Sequence, residues 1–265
     1  MAGVAFDALA PKYDELVEAN PLHSLMRRSS VAWLDEAFAP GMRVLEIGCG
    51  LGTEAIHLAK RRVIVVATDA SGAMVKGAAS RAKAAGLGDM IQVRQVPASQ
   101  LSDSLHGELF DGAYASFGAL NCEDDLDGTV AGIAGLLRPG VPFLTSVVNR
   151  PCVWEIGAGL LTLRPGKGFR RLREDGMSVD LYGTSKVWSR AYSESEIRRA
   201  VKPWFDVERV EGWLVALPPP YLSEQWRRLQ FLHRPLQRAD RILAGSRLFR
   251  GLGDHLHLWV RRNSR

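Results

Sequence analysis

Hydrophobic residues between positions 42 and 148 fall into short runs, separated by longer segments in which apolar residues recur at helical spacing. Short, mostly apolar runs are typical of strands buried in a parallel sheet, whereas apolar residues three and four positions apart indicate amphipathic helices. Strands that alternate with helices in this way predict βαβ units and a doubly wound α/β fold. The predicted strands are residues 42–48, 62–69, 90–96, 109–117 and 142–148.

The segments on either side of this region do not follow its alternation of strands and helices. Before it, the pattern predicts two helices, at residues 4–19 and 22–38, that are separated by Asn20-Pro21, because proline suits the first turn of a helix. After it, residues 150–190 contain an apolar run, a basic run and an extended strand or hairpin. An insertion there would lie over the carboxyl ends of the strands, where open α/β sheets bind ligands. We therefore predict one domain made of an N-terminal helical cap (1–39), a core (40–149 and 191–265) and a lid (150–190).

Composition places few limits on this picture. The hydrophobic fraction is 46% and the three cysteines lack metal-ligand spacing, so we expect no metal site and no disulfide framework. No apolar run has the length of a membrane span, and the N-terminus lacks a basic signal-peptide region. These features predict a cytoplasmic protein without integral membrane association, either a monomer or a homodimer.

The net charge of +5 is concentrated near the C-terminus, where residues 221–265 hold ten arginines and three acidic residues. Such a segment can attract an anionic partner or can form a solvated helix face. Trp226 and Phe231 lie among Leu229, Leu232 and Leu236, which favours a buried helix face over a surface that stacks nucleic-acid bases. We predict no nucleic-acid partner.

Three glycines, Gly48, Gly50 and Gly52, alternate in a turn between the first predicted strand and the helix that follows it. Dinucleotide-binding turns place a third glycine where this chain has Thr53. Glu46 stands just before the turn and would repel a pyrophosphate, but it could attract the amino group of a cationic ligand. Asp69 ends the second predicted strand, where a carboxylate can accept hydrogen bonds from both hydroxyls of a ribose.

Together these residues resemble the class I S-adenosylmethionine-dependent methyltransferases, whose first motif typically reads VLEIGCGTGT. The resemblance covers most of residues 40–150. It implies a Rossmann-like seven-stranded sheet, mostly parallel, with an antiparallel C-terminal strand that pairs in a hairpin, and S-adenosylmethionine as the cofactor. The resemblance implies these cofactor contacts: Gly48, Cys49 and Gly50 at the methionine portion, Gly52 and Thr53 at the helix start, Asp69 at the ribose, Ala70 and Met74 at the adenine, Ser116 and Phe117 beside the sulfur, and Tyr13 as a cover.

The chain departs from the family after the third strand. Members often have Gly-Asp-Ala there, and its carboxylate accepts a hydrogen bond from the adenine amino group. This chain has Val96-Pro97-Ala98, so Pro97, Ala98 and Ser99 are predicted at the adenine, with Ser99 or Gln100 as a replacement acceptor.

Some of these residues also have a purely structural interpretation. Cys49 fits a small, inert packing residue, and Met74 fits the buried face of a helix as well as an adenine contact. The acidic residues 123–127 lack calcium-loop spacing and precede a predicted helix, whose N-terminus favours negative charge. We therefore interpret them as a cap.

The acceptor is less constrained by the sequence. Nucleic-acid amino methyltransferases carry an (Asp/Asn)-Pro-Pro-aromatic motif where this chain has residues 116–119, Ser-Phe-Gly-Ala, and the paired glutamates of protein-arginine methyltransferases are missing. This favours a small-molecule enzyme, similar to those of quinone, biotin-type and secondary-metabolite pathways. The apolar lid run indicates a hydrophobic or aromatic acceptor, or else forms the core of the lid itself. The predicted acceptor contacts are Asn121, Trp154, Glu155, Tyr182 and Tyr192.

Catalytic residues cannot be assigned from the sequence. Methyl transfer from a sulfonium is an in-line displacement that needs positioning, and a general base only for a weakly acidic acceptor. Glu155 and His23 are possible bases, but each also fits a structural role. Two other functions remain: a nicotinamide oxidoreductase, against which Thr53 and a missing Tyr-x-x-x-Lys argue, and an S-adenosylmethionine-binding protein that transfers no methyl group.

Overall fold

The computed structural model describes residues 2–228 and 230–264. Met1, which belongs to the predicted cap, and Leu229 and Arg265, which belong to the predicted core, lie outside the described residues.

A seven-stranded sheet forms the centre of the molecule, with strand order β3-β2-β1-β4-β5-β9-β8. Strands β1 to β5 are parallel, and β9 is antiparallel to both of its neighbours, β5 and β8. This confirms the predicted fold class. The strands are β1 (Arg43–Ile47), β2 (Ile64–Asp69), β3 (Ile91–Gln95), β4 (Gly112–Ala115), β5 (Pro142–Val148), β6 (Met177–Asp180), β7 (Lys186–Ser189), β8 (Phe205–Trp213) and β9 (His255–Arg262).

Helices cover both faces of this sheet because successive strand residues point to opposite sides. One apolar cluster contains Leu45 and Ala113 and packs under α5, α6 and α9, whereas the other contains Val44 and Tyr114 and packs under α2, α3 and α4. The helices are α1 (Ala2–Leu9), α2 (Pro21–Ala37), α3 (Thr53–Lys60), α4 (Gly72–Ala84), α5 (Leu101–Ser104), α6 (Leu126–Gly135), α7 (Val153–Leu161), α8 (Pro165–Gly168), α9 (Glu194–Val201), α10 (Ser223–Arg228) and α11 (His233–Ala244).

The N-terminal region differs from the expected pair of continuous helices. The first predicted helix breaks after α1 into a 3₁₀ turn at Ala10–Lys12 and a π-helical turn at Asp14–Glu18. Pro11, which has no backbone N–H, interrupts the helical hydrogen bonds. The second helix is confirmed as α2, and the Asn20 side chain caps it by accepting hydrogen bonds from the backbone N–H groups of Leu22 and His23 at 3.0 and 3.4 Å.

The predicted lid segment folds as α7, α8 and the antiparallel hairpin β6–β7. The hairpin contacts the N-terminal helices: Ser185 Oγ donates to the carbonyl of Ala5 at 2.7 Å, and the Tyr182 hydroxyl lies 2.9 Å from His23 Nε2. The cap and the lid therefore meet above the sheet. Their division from the core remains a proposal.

Two further expectations need correction. The fourth strand is shorter than residues 109–117, and the last two strands pair antiparallel without forming a tight hairpin, because α10 and α11 lie between them. Among the described residues, no helix combines the length and the apolar character needed to cross a membrane.

Candidate cofactor and acceptor site

The glycine turn joins the end of β1 to α3. Gly48, Gly50 and Gly52 have φ angles of 72°, 51° and 78°, a region that side chains with a Cβ rarely adopt. The backbone N–H groups of Gly48 and Cys49 both donate to the carbonyl of Thr68, at 2.8 and 2.9 Å, so the turn is fastened to β2. A Cβ at Gly48 would lie 2.5 Å from that of Ala119, so the space also requires glycine.

Asp69 links this turn to the start of α4. One carboxylate oxygen accepts from the Gly50 N–H at 2.9 Å and the other from the Ser71 N–H at 2.8 Å. Burial raises the pKa of Asp69, and these two hydrogen bonds oppose that increase. An ionised carboxylate offers about four acceptor positions, so roughly two remain for a ligand.

The N-terminal helix covers the same region. Asp7 accepts hydrogen bonds from the Ser71 hydroxyl at 2.6 Å and from the Ala73 N–H at 2.9 Å, and these bonds lower the pKa of Asp7. Gly3 passes so close to Ala70 that a Cβ there would lie 2.4 Å from the Ala70 carbonyl oxygen. The helix therefore closes over the segment that follows β2.

The Tyr13 hydroxyl lies over the glycine turn, 3.6 Å from the position of a Cβ on Gly50. Tyr13 also lines the large cavity described below. The structure thus brings Tyr13 and Gly50 together, in the arrangement expected of a tyrosine that covers a ligand in this turn.

Glu46 is buried beneath the turn beside the Tyr114 hydroxyl, and by distance and angle its Oε2 atom has no hydrogen-bond partner among the described residues. Burial raises the pKa of Glu46 well above its ordinary value, the nearby Glu54 raises it further, and hydrogen bonding of the Tyr114 hydroxyl to the carboxyl lowers it. Glu54 forms an ion pair with Arg27 at 2.9 Å. A buried carboxylate oxygen without a donor has an unmet demand for a hydrogen bond or a positive charge.

The end of β4 carries a strained residue. Phe117 has a φ angle of 56°, and its N–H donates to Ser146 Oγ at 2.6 Å. The Ser116 hydroxyl lies 3.2 Å from that of Ser30 in α2, and the Arg27 guanidinium lies 5.3 Å from the centroid of the Phe117 ring. Left-handed conformations at non-glycine residues cluster at functional sites, and Phe117 faces the cavity.

Most of the residues predicted to contact the adenine are apolar and contribute to packing or to a turn. Met74 is buried in α4, and its N–H donates to Ser71 Oγ at 3.1 Å. Pro97 precedes a 3₁₀ turn in which Ala98 packs against the core and Ser99 is exposed. Their contact with adenine stays a prediction.

The side chains of Cys49 and Asp125 fit their structural interpretations. Cys49 is buried, and burial raises the pKa of its thiol well above the ordinary value, which keeps the thiol protonated and unreactive. Asp125 caps α6 by accepting from the Gly128 N–H at 2.9 Å.

A cavity of about 690 Å³ extends from Tyr13 and Phe117 to the lid. Most of its wall is apolar, with residues from the N-terminal helices, α7 and the β6–β7 hairpin. Of the predicted acceptor contacts, Glu155 and Tyr182 line it.

The other three predicted acceptor contacts lie outside the cavity wall. The amide of Asn121 is engaged by backbone: its Nδ2 donates to the carbonyls of Arg190 and Val148, at 2.6 and 3.3 Å, and its Oδ1 accepts from the Val148 N–H at 2.9 Å. Tyr192 packs in the core of the sheet, and Trp154 is half-buried on α7. These positions give no support to acceptor binding by Asn121, Trp154 and Tyr192, which stays a prediction.

A cluster of buried charges forms the far wall of the cavity. Glu155 pairs with Arg170 and Arg171, and Arg171 donates to Asp254 Oδ1 at 2.7 Å. This double pairing argues against Glu155 as a general base. Although burial alone would raise it, Arg171 and His255 hold the pKa of Asp254 well below its usual range.

His255 completes the cluster. The second oxygen of Asp254 accepts a hydrogen bond from His255 Nδ1 at 2.8 Å. His255 is the first residue of β9 and pairs in register with Val148 at the end of β5, which places it at the carboxyl edge of the sheet. Within the described part of the chain, no residue hydrogen-bonds to its Nε2 atom, and the ring lines the cavity.

Residues 44–140 match a family model described as a methyltransferase domain. The proteins that resemble this chain include 2-phytyl-1,4-naphtoquinone methyltransferase of Synechococcus elongatus, 31% identical over 151 residues, which are 55% of this chain and 63% of the relative. Ubiquinone biosynthesis O-methyltransferase of Pseudomonas aeruginosa is 31% identical over 147 residues, 55% of this chain and 61% of that protein. The match thus spans less than two thirds of either relative.

Solved structures agree with the fold of this chain. The [4+2]-cyclase SpnF superimposes with a TM-score of 0.66 at 16% identity, covering 98% of this chain and 94% of the other. The CcbJ methyltransferase of Streptomyces caelestis gives a TM-score of 0.64 at 17% identity, with 98% of each chain covered. At this identity the likeness shows the fold alone.

These comparisons confirm the resemblance to a methyltransferase domain over residues 44–140. They give no support to the nicotinamide alternative. The individual cofactor contacts remain predictions. A role for Asp254 and His255 could not be predicted from the sequence, because neither residue belongs to a motif and Arg171, which contacts Asp254, is distant along the chain.

Proposed function

We propose that the protein transfers the methyl group of S-adenosylmethionine to a small hydrophobic or aromatic acceptor. The observation that carries this proposal is the position of Tyr13, which lies over the glycine turn that Asp69 holds and also lines the largely apolar cavity that Phe117 borders. The turn suits the cofactor, and the cavity has the size of a small-molecule site.

The residues present fit the cofactor. Asp69 has acceptor positions left for a ribose diol, and the positive-φ glycines leave backbone bare for the methionine portion. The unpartnered oxygen of Glu46 matches the positive ammonium of that portion.

The bound cofactor would supply an electrophilic methyl carbon, so the protein must hold a nucleophile in line and exclude water. The hydrogen bond from Ser185 to Ala5 and the contact between Tyr182 and His23 close the space between the lid and the cap. Phe117 and Tyr13 both line the cavity, at its end near the glycine turn.

For a hydroxyl acceptor, the structure offers His255 as the general base. The Nδ1–H group donates to Asp254, which leaves the lone pair of Nε2 to take the hydroxyl proton. The bound cofactor would supply the methyl carbon that the acceptor oxygen attacks, and His255 Nε2 would take the proton that this oxygen loses. Asp254 stabilises the imidazolium that results. The relative named as a ubiquinone biosynthesis O-methyltransferase supports an oxygen acceptor.

The test is transfer of a labelled methyl group from S-adenosylmethionine to a panel of hydroxylated quinones, phenols and amines. The proposal predicts label in a hydroxylated aromatic acceptor, with much lower transfer by His255→Gln. Transfer to amines alone would exclude His255 as the general base for a hydroxyl acceptor. Cofactor binding without transfer to any member of the panel would favour the non-transferring alternative.

A further inference from the structure

The end of α7 and the residues after it expose an unusual amount of apolar surface. Leu161 and Leu163 are 88% and 90% exposed, and Leu160, Phe169 and Leu172 are exposed as well. We call residues 160–173 the lid tip. Scattered exposed apolar residues are ordinary, but several in one short segment mark an interaction surface. We propose that the lid tip binds the surface of an anionic lipid membrane.

The charges around these residues favour anionic lipid over a soluble protein. Residues 156–173 contain no acidic residue and five basic ones, of which Arg171 is buried and Arg164, Lys167, Arg170 and Arg173 accompany the leucines. Arg170 pairs with Glu155, and Arg173 lies 3.7 Å from Asp175. Arg164 and Lys167 have no ion pair within the described residues and are exposed. Basic residues beside protruding apolar ones are the combination that holds peripheral proteins at anionic bilayers.

The lid tip also adjoins the acceptor cavity. Ala158, Gly159 and Thr162 of α7, together with Lys167, form part of the cavity wall. A bilayer in contact with Leu161 and Leu163 would therefore lie beside the cavity, so a hydrophobic acceptor dissolved in the lipid could enter without crossing water. The membrane contact rests on exposure and charge, and it does not depend on methyl transfer.

Co-sedimentation with vesicles tests this inference. The full chain is mixed with vesicles of phosphatidylcholine alone or with roughly 30% phosphatidylserine, at low and high salt. We expect binding to the anionic vesicles, weaker binding at high salt because the charges are screened, and little binding to phosphatidylcholine alone. Leu161→Asp and Leu163→Asp should each weaken the binding about tenfold, since each removes a membrane-inserting side chain and adds repulsion.

The matched control is Leu109→Asp, an exposed leucine ahead of β4 at the opposite edge of the sheet, which should bind vesicles like the native chain. Unchanged binding of S-adenosylhomocysteine by all three variants would show that they remain folded. Equal vesicle binding by Leu161→Asp and the native chain would overturn the inference. So would a native dimer that Leu161→Asp dissociates, because the lid tip would then serve a second copy of the chain.

Discussion

Replacing Asp69 with alanine removes the carboxylate proposed to hold the ribose. Both of its oxygens already accept one backbone N–H, so the two remaining acceptor positions are the ones that a ribose diol would use. A hydrogen bond to a charged group contributes about 1.5–3 kcal/mol, and two of them about 3–6 kcal/mol. We therefore expect the Kd for S-adenosylhomocysteine to rise roughly 10²- to 10⁴-fold.

Isothermal titration calorimetry measures this directly. Asp111→Ala is the matched control, because Asp111 also accepts a backbone N–H, that of Arg43 at 2.9 Å, but lies at the amino edge of the sheet. It should leave the Kd within a few-fold of the native value. A native-like Kd for Asp69→Ala would refute the assignment of the ribose to this carboxylate, and equal losses in both variants would point to a general effect on folding.

Three further predictions follow from the site. His255→Gln should lower kcat for a hydroxyl acceptor about 10²- to 10⁴-fold while the calorimetric affinity for S-adenosylhomocysteine is unchanged; an unaltered kcat would exclude the base role. Asp254→Asn should destabilise the fold by about 3–5 kcal/mol at pH 7 in urea denaturation, because it removes one of the two carboxylates that neutralise the buried Arg171 and leaves only Glu155. The folded-state pKa of Asp254 is depressed, so its contribution to the free energy of unfolding is complete above the unfolded-state pKa of about 3.9 and is lost as the pH falls below that pKa. The difference in the free energy of unfolding between the native protein and Asp254→Asn should therefore decrease in acid. Gly48→Ala should cost more stability than Gly86→Ala, because both have positive φ angles but only Gly48 lacks room for a Cβ; equal thermal shifts would contradict this.

The parts of the fold that local periodicity determines were predictable. β1, β2 and β5 follow from short apolar runs, and the glycine turn follows from three glycines beside a buried strand. The break after α1 was missed because the apolar spacing continues through Pro11, and the loss of one N–H outweighed that spacing.

The acceptor side was harder to predict because polar side chains have more than one use. Asn121 has the chemistry of a ligand contact, yet its amide joins β5 to the end of the lid hairpin. Only the tertiary structure shows that its hydrogen bonds are already made. Conversely, Arg171, Asp254 and His255 form one buried cluster although β6, β7 and β8 lie between Arg171 and the other two in the chain, and no local pattern encodes such a contact.

The most direct test of the central claim is a calorimetric titration of the native protein with S-adenosylhomocysteine and, in parallel, with NAD. We expect saturable binding of S-adenosylhomocysteine, one molecule per chain, and no heat of binding for NAD. Binding of NAD alone would contradict it.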